Sequence, residues 1–313
     1  MRRGFTEEAC RVLGINRRDL VEKDLLLHGL LFDLSKNKFF RKNFLFKGGT
    51  CLIKHYLGYY RFSEDIDFTW KNQEVFKEKS GKEIRRHLSG IIDELGKVFE
   101  EIAKSRGLDF KCDKANRRYV ELVGGSKTLT FKIWYKSDVL DRESFTKVQV
   151  NFVEELCFNP RKGEIRSLLS SAVKDTGELE FLYPELYIEY STPVTLNLYD
   201  IREILCEKVR SILTRRGIKA RDFVDVYLIM QKEKIDLEEM EEAIIQKTRF
   251  MLELYKRFRD NFSEKMEILD SGEFFNWGDE KRLLLFDLNE EDFYRFVDEF
   301  TKFLTKIGTK IEL

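Results

Sequence analysis

Asp65 and Asp67 are the side chains of this sequence best suited to chemistry, because they lie one residue apart in a segment of alternating polar and apolar residues. Such alternation predicts a β-strand over Asp65–Trp70, and a strand directs both carboxylates to the same face. Two adjacent carboxylates repel each other unless a cation lies between them. Oxygen ligands of this kind suit Mg²⁺ or Mn²⁺, which neutralise nucleotide phosphates. The pair alone also fits an ordinary charged surface.

A glycine turn upstream of the acidic pair favours the metal interpretation. Residues 44–46 form a short apolar run with strand character, and residues 51–57 show a helical pattern. Between them, Gly48, Gly49 and Thr50 allow close approach of the backbone to a ligand, and free N–H groups at a helix start attract phosphate. The turn matches neither the ATPase nor the dinucleotide glycine motif. A glycine turn by itself is more often structural, but together with the acidic pair this one is predicted to hold the phosphates of a nucleotide.

The elements that position these residues mix helix and strand. Helical spacing marks the first forty residues and the segment 80–105, and strand patterns mark the segments 119–123, 128–135 and 146–153. Further along the chain, helical patterns dominate the segments 200–215, 220–232, 237–258 and 290–306. These patterns predict an α+β protein: a mixed sheet with flanking helices over residues 1–195, followed by a helical domain over residues 196–313.

A lysine in the second half lies where charge is unexpected. Lys208 has isoleucines four residues before and after it, so it should lie on an apolar stripe of a helix. A lysine there needs an anionic partner, either a nucleotide triphosphate or a carboxylate such as Glu203 or Asp222. Asp222 and Asp225 are neighbours on the next predicted helix and could hold the lysine, a metal-bound water or a substrate hydroxyl.

The composition excludes several classes of protein. The 313 residues include 56 basic and 56 acidic side chains, so the chain as a whole is not a polycationic nucleic-acid binder. The five cysteines are scattered and form no C-x-x-C pair, which argues against a disulfide framework or a zinc site. No run approaches the ~18 apolar residues of a membrane span, and no signal peptide is evident. We expect a cytoplasmic protein.

Two pairs of motifs resemble one known family. The segments 47–52 (KGGTCL) and 61–68 (RFSEDIDF) are similar to the signature of the AbiEii/AbiGii toxin family, which belongs to the polymerase-β-like nucleotidyltransferase superfamily. The segments 202–210 (REILCEKVR) and 220–227 (ARDFVDVY) resemble the family's helical motifs. The four segments occur in the family's order and cover both halves of the chain.

The resemblance implies a polymerase-β-like nucleotidyltransferase domain, a helical domain, and a nucleotide in the groove between them. It implies transfer of a nucleoside monophosphate from a nucleoside triphosphate to an RNA acceptor, notably the 3′ end of tRNA, by the toxin of a toxin–antitoxin pair. An antitoxin protein encoded nearby would then be a partner. The residues that match the catalytic motifs are Asp65, Asp67, Lys208 and Asp222. Those that match the nucleotide-binding motifs are Gly48, Gly49, Thr50, Ser63 and Lys208.

The sequence departs from the superfamily at one point. Polymerase-β-like enzymes usually carry a third metal-binding carboxylate on a later strand, where this chain has Gln149 and Asn151. Glu154 and Glu155 follow, but they are out of the expected register. The site would then hold one metal ion, or use a substitute ligand such as Asp222. Ser63, just before the acidic pair, either orients a phosphate or caps the turn.

Two other functions remain open at this stage. Without the third acid, the chain could be a catalytically inactive protein that binds a nucleotide or a partner. Alternatively, the acceptor could be a small molecule, although the long helical half favours a polynucleotide. Two basic clusters could follow an RNA backbone or form an ordinary solvated surface; they are Lys114/Arg117/Arg118 and Arg215/Arg216/Lys219/Arg221.

Overall fold

The structure of the chain is a computed structural model that describes residues 2–170, 175–271 and 274–311. Contacts divide the chain into two compact units. The sheet unit comprises Met1–Val153 and Pro160–Leu198, and the helical unit comprises Glu154–Asn159 and Tyr199–Leu313.

The sheet unit consists of seven strands and their flanking helices. Its strands are β1 (Phe44–Lys47), β2 (Asp65–Trp70), β3 (Val120–Val123), β4 (Thr128–Ser137), β5 (Arg142–Asn151), β6 (Arg161–Ile165) and β7 (Val194–Leu198). Its helices are α1 (Arg2–Leu13), α2 (Arg18–Lys36), α3 (Lys38–Asn43), α4 (Gly48–Cys51), α5 (Gly81–Arg106), α6 (Gly177–Leu182) and α7 (Pro184–Ser191). A π-helical turn, Leu52–Leu57, continues α4, and a 3₁₀ turn spans Gln73–Phe76.

The sheet is mixed, with the strand order β3-β4-β5-β2-β1-β7-β6. The pairs β2–β5 and β1–β7 are parallel, and the other neighbours are antiparallel. The central strand β2 therefore has β5 on one side and β1 on the other. The predicted α+β class is confirmed.

One face of the sheet is sealed by apolar packing. Phe68 of β2 meets Phe40 of α3 edge to face, with ring centroids 4.8 Å apart. Phe131 of β4 packs on Phe99 of α5 at 5.5 Å. Burying each such side chain contributes about 1.5–3 kcal/mol. Since side chains alternate along a strand, the residues between these aromatics face the other side of the sheet.

The long helix α5 shows how local sequence fixes an element. The Ser80 side chain accepts a hydrogen bond from the Glu83 N–H, and the Glu83 carboxylate accepts one from the Ser80 N–H, which forms a capping box. The helix ends at Gly107, which adopts a left-handed conformation with φ of 65°. Its apolar face, which includes Leu88, Leu95 and Phe99, is buried.

A buried polar cluster holds the helical segment that follows the glycine turn. Lys54, in the π-helical turn, forms an ion pair with Asp24 of α2 at 2.7 Å, and both side chains are almost fully buried. The hydroxyls of Tyr59 and Tyr190 donate hydrogen bonds to the other carboxylate oxygen of Asp24, at 2.9 and 2.6 Å. Because each buried charge has a partner, the cluster fixes the π-helical turn on α2.

The helical unit contains α8 (Ile201–Thr214), α9 (Ala220–Glu233), α10 (Glu241–Leu254), α11 (Lys256–Ser271) and α12 (Glu290–Lys310), with 3₁₀ turns at Glu238–Met240 and Glu280–Leu283. Phe223 of α9 packs edge to face on Phe300 of α12, with centroids 5.5 Å apart. Glu203 of α8 accepts hydrogen bonds from the N–H groups of Cys157 and Phe158 and pairs with the buried Lys247 of α10. These bonds explain why the segment Glu154–Asn159 belongs to this unit.

Several predicted elements are confirmed, and others were missed. The strand over Asp65–Trp70 and the helix near residues 80–105 are both present. The short strands β6 and β7 were not predicted, and the predicted domain cut after residue 195 falls inside β7. The predicted helix over residues 237–258 is divided into α10 and α11 at Tyr255. No helix among the described residues is long and apolar enough to cross a membrane.

His28 makes the stability of the protein depend on pH. Its ring is fully buried beside Tyr190, and Nε2 donates to the Thr192 carbonyl at 3.0 Å. Burial, helped by the charge of Lys54 and opposed by Asp24, lowers the pKa of His28 from 6.5 to about 4. Because the folded-state pKa is the lower one, the neutral ring stabilises the fold fully above pH 6.5, and this contribution is lost as the pH falls toward 4.

We expect His28→Gln to remove this part of the pH dependence. Between pH 6.5 and 4, the free energy of unfolding of the wild type should fall by roughly 3 kcal/mol more than that of the variant. Urea denaturation at a series of pH values measures the difference. The exposed His87→Gln variant is the control and should follow the wild type. Parallel pH profiles for wild type and His28→Gln would contradict the assignment.

Candidate functional site

The glycine turn and the acidic pair meet at the end of β1. Lys47, the last residue of β1, lies opposite Asp67 in the antiparallel pairing with β2. Gly48 follows with φ of +75°, and a Cβ built there would lie 2.4 Å from Asp67 Oδ2. Only glycine fits this position, because both its backbone conformation and the adjacent carboxylate exclude a side chain. The backbone of the turn is therefore in contact with the carboxylate predicted to bind metal.

Arg61 closes the other side of the turn. A Cβ at Gly49 would lie 2.5 Å from Arg61 Nη2, so the guanidinium packs directly on this glycine. Arg61 is buried and donates a hydrogen bond from Nη1 to the Phe62 carbonyl at 2.9 Å. Its fixed positive charge lies beside the turn that is predicted to bind phosphate. No role was predicted for Arg61, although it begins the segment 61–68.

Thr50 joins the glycine turn to the start of β2. Its hydroxyl contacts the Asp65 carbonyl oxygen and lies 2.8 Å from Ser63 Oγ. Thr50 is buried and its hydroxyl holds the two segments together, so its contact with a phosphate stays a prediction. The hydrogen bond shows a structural role for Ser63 and leaves its predicted phosphate contact a prediction. The structure therefore brings Gly48, Gly49, Thr50 and Ser63 together with both aspartates.

The strand beside the acidic pair carries no acid at the matching positions. In the parallel pairing of β2 with β5, Asp65 lies opposite Lys147 and Asp67 lies opposite Gln149. Asn151 lies opposite Thr69, two residues further along the paired strands. Among the described residues, no three His, Cys, Asp or Glu side chains converge in a way that could hold a metal ion.

The two aspartates fit one Mg²⁺ ion better than a three-carboxylate, two-metal site. Mg²⁺ is commonly bound by one or two carboxylates together with the phosphates of its substrate. Asp65 and Asp67 supply that number of carboxylates on one face, and both are partly exposed. A metal ion at this position remains a prediction.

The two glutamates that follow β5 have other partners. Glu154 is buried and lies 3.6 Å from Arg210 Nη2 and 4.0 Å from Lys247 Nζ. The Glu155 carboxylate accepts a hydrogen bond from Gln246 at 2.6 Å. All of these residues belong to the helical unit. Their partners explain why neither glutamate replaces the missing acid on β5.

In the helical unit, Lys208 is held between two buried aspartates. Its Nζ lies 2.7 Å from Asp222 Oδ1 and 2.7 Å from Asp225 Oδ2. Arg215 contacts the second oxygen of Asp222, also at 2.7 Å. Burial alone would raise the pKa of Asp222, but the charges of Lys208 and Arg215 lower it below its ordinary value. Of the partners considered for Lys208, the structure shows Asp222 and Asp225.

Glu203 was wrong as a candidate partner of Lys208, because its carboxylate pairs with Lys247. Packing of α8 on α10 determines this choice, which helical spacing within α8 does not reveal.

The basic clusters are also largely neutralised. Arg118 pairs with Asp109 and Glu143, and Arg221 pairs with Glu280.

In the second basic cluster, the surroundings of Lys219 lower its pKa. Burial, together with the charges of Arg221 and Arg215, lowers the pKa of Lys219 to about 8. A phosphate near this lysine would favour its charged form.

We expect Gly48→Ala to destabilise the protein more than an alanine at another left-handed glycine. Gly107→Ala is the control, because Gly107 has φ of +65° and no atom within 4 Å of a built Cβ. Both substitutions strain the backbone by about 1 kcal/mol, but only Gly48→Ala also collides with Asp67. Chemical denaturation should show the larger loss for Gly48→Ala. Equal losses would mean that the carboxylate moves away without cost.

We expect Lys208→Met to lower the free energy of unfolding by roughly 3 kcal/mol or more, since it leaves two buried carboxylates without their shared cation. Removing Asp225 as well, in Lys208→Met/Asp225→Leu, should restore part of the loss. Lys306→Met is the control, because it breaks only exposed ion pairs of the same unit and should cost far less. Equal losses for Lys208→Met and Lys306→Met would show that the buried cluster is not energetically important.

Comparison with known proteins finds solved structures and a protein sequence with limited similarity to this chain. JHP933 from Helicobacter pylori is 12% identical, with 93% of this chain and 94% of that chain covered and a TM-score of 0.43. A proposed nucleotidyltransferase from H. pylori is 14% identical, with 94% and 98% covered and a TM-score of 0.42. A proposed type I restriction enzyme MjaIXP endonuclease subunit of Methanocaldococcus jannaschii is 24% identical over 185 residues, which are 52% of this chain and 17% of that protein.

The family match covers most of the chain. Residues 29–302 match the family described as "Nucleotidyl transferase AbiEii toxin, Type IV TA system". The match includes the glycine turn and both aspartates of the sheet unit, and the lysine–aspartate cluster of the helical unit. The chain belongs to the AbiEii nucleotidyltransferase toxin family of type IV toxin–antitoxin systems.

Proposed function

We propose that this protein transfers a nucleoside monophosphate from a nucleoside triphosphate to an RNA acceptor, with the 3′ end of tRNA as the target. The observation that carries the proposal is the contact between the glycine turn and the acidic pair, at Gly48 and Asp67. A phosphate-binding turn and two carboxylates on one strand face are the parts that phosphoryl chemistry requires.

Asp65 and Asp67 are the proposed ligands of one Mg²⁺ or Mn²⁺ ion. When bound, such an ion supplies positive charge that stabilises the charge developing on the α-phosphate. Asp222 is a poor substitute ligand, because its two oxygens are already engaged by Lys208 and Arg215. The proposal therefore assigns the metal to the two aspartates of β2.

The other residues bind and orient the nucleotide. N–H groups of Gly48 and Gly49 would donate to triphosphate oxygens, and the buried Arg61 adds positive charge beside them. Lys208, in the helical unit, matches the family's nucleotide-binding motif, and its contact with a phosphate stays a prediction; Asp222 orients its ammonium. In the reaction, an acceptor hydroxyl oxygen forms a bond to the α-phosphorus, the bond to pyrophosphate breaks, and the hydroxyl proton is released.

The biological part of the proposal follows from the family. A toxin of a type IV system implies an antitoxin encoded nearby, and modification of the 3′ ends of cellular tRNA would explain toxicity. Nucleoside triphosphates and tRNA are both present in the cytoplasm, which is where we place the protein.

We expect the wild type to label tRNA from α-labelled nucleoside triphosphates in the presence of Mg²⁺, and Asp65→Asn and Asp67→Asn to reduce the rate by about 10³-fold or more. Each variant keeps the shape of the side chain but removes the charge that binds the cation. Asp141→Asn is the matched control, because Asp141 is an exposed residue of the β4–β5 turn. Transfer is measured by gel electrophoresis of the labelled RNA.

Other outcomes would support the alternative functions. Tight binding of nucleotide without transfer to any acceptor would indicate an inactive binding protein, for which the missing acid on β5 is the reason. Label on a small hydroxylated compound, with none on RNA, would indicate a small-molecule acceptor. Full activity of both aspartate variants would contradict the proposed metal site.

A further inference from the structure

Two polar side chains of β5 lie beside the aspartates. Lys147 is opposite Asp65 and Gln149 is opposite Asp67, and neighbouring strands are about 4.8 Å apart. Within the described ranges 2–170, 175–271 and 274–311, neither side chain forms a hydrogen bond or an ion pair. Both are partly buried, where a polar group without a hydrogen bond is costly. Partly buried polar side chains without a hydrogen bond or ion pair are typical of residues that bind a ligand.

The order of the strands indicates which part of the reaction they meet. The glycine turn lies at the end of β1, on one side of β2, and β5 lies on the other side. In a phosphoryl transfer, the attacking oxygen and the leaving group are roughly in line on opposite sides of the phosphorus. If the turn holds the triphosphate, whose outer part leaves as pyrophosphate, the acceptor approaches from β5.

The surroundings of Lys147 suit an RNA strand. Lys132 of β4 lies opposite Lys147 and forms an ion pair with Glu121. Of these two lysines, Lys147 is therefore the one available to bind an anionic ligand. Phe145 lies two residues before Lys147, on the same face and about 7 Å along the strand. Its ring packs on Trp134, with centroids 4.7 Å apart, and both residues are partly exposed. Basic and aromatic side chains together bind the backbone and bases of single-stranded nucleic acid.

We infer that β5 carries the acceptor subsite: Lys147 binds the phosphodiester next to the acceptor hydroxyl, Gln149 hydrogen-bonds the terminal ribose, and Phe145 stacks on a base. This inference rests on the proposed function and extends it to the RNA. It also gives a role to the positions at which the superfamily usually has its third acid.

The test separates binding of RNA from binding of nucleotide. In steady-state transfer assays with bulk tRNA, Lys147→Ala should raise the KM for tRNA about tenfold and leave the KM for the nucleoside triphosphate unchanged. Gln149→Ala should act in the same direction, and Lys147→Arg should keep most of the affinity because it keeps the charge. Lys136→Ala, which removes an exposed lysine of β4, is the control for net charge.

Salt dependence gives a second readout that loss of folding would not produce. Binding of 5′-fluorescein-labelled tRNA, followed by anisotropy, should weaken with salt along a log–log slope that is smaller by roughly 0.7 in Lys147→Ala, as expected for the loss of one contact to a single-stranded phosphate. Lys136→Ala should keep the wild-type slope.

The possible failures can be told apart. An increase in the KM for nucleotide instead of tRNA would overturn the inference and place Lys147 on the triphosphate side. Unchanged constants for both substrates would overturn it as well. If the wild type labels no RNA at all, the proposed function itself fails, and the inference fails with it.

Discussion

The close approach of Gly48 to Asp67 is the constraint on which the site depends. It requires Lys47 to lie opposite Asp67, and this register is fixed by the same strands that bury Phe46 and Phe68 on the other face. A slip of one residue would turn both aspartates of β2 into the core and the aromatics out of it. Packing of the core and geometry of the site therefore require the same register of β1 and β2.

Local patterns predicted the parts of the fold that local sequence determines. Alternation in Asp65–Trp70 predicted the strand and its paired carboxylates, and the glycines predicted the turn before α4. The strands β6 and β7 were missed because each has five residues and is stabilised by pairing with distant segments. The α+β class was predictable because it depends on many elements at once.

The residues that the sequence analysis missed are those whose importance depends on distant contacts. Lys147 is notable only once β2 and β5 are in register, and Arg61 only once its guanidinium lies on Gly49. For Lys208 the sequence indicated the need for an anion but not its identity. The contact between α8 and α9 decides that Asp222 and Asp225 supply it.

Charge balance offers a physical reason for the missing third acid. A carboxylate opposite Asp67 would add repulsion to a pair that already needs a cation, and a second metal ion would be the usual compensation. Here the neighbouring strand instead offers the cation Lys147 and the neutral Gln149. The acidic pair then has less negative charge to neutralise, which favours the proposed single metal ion over two. The same change places a lysine on the side from which the proposed anionic acceptor would approach.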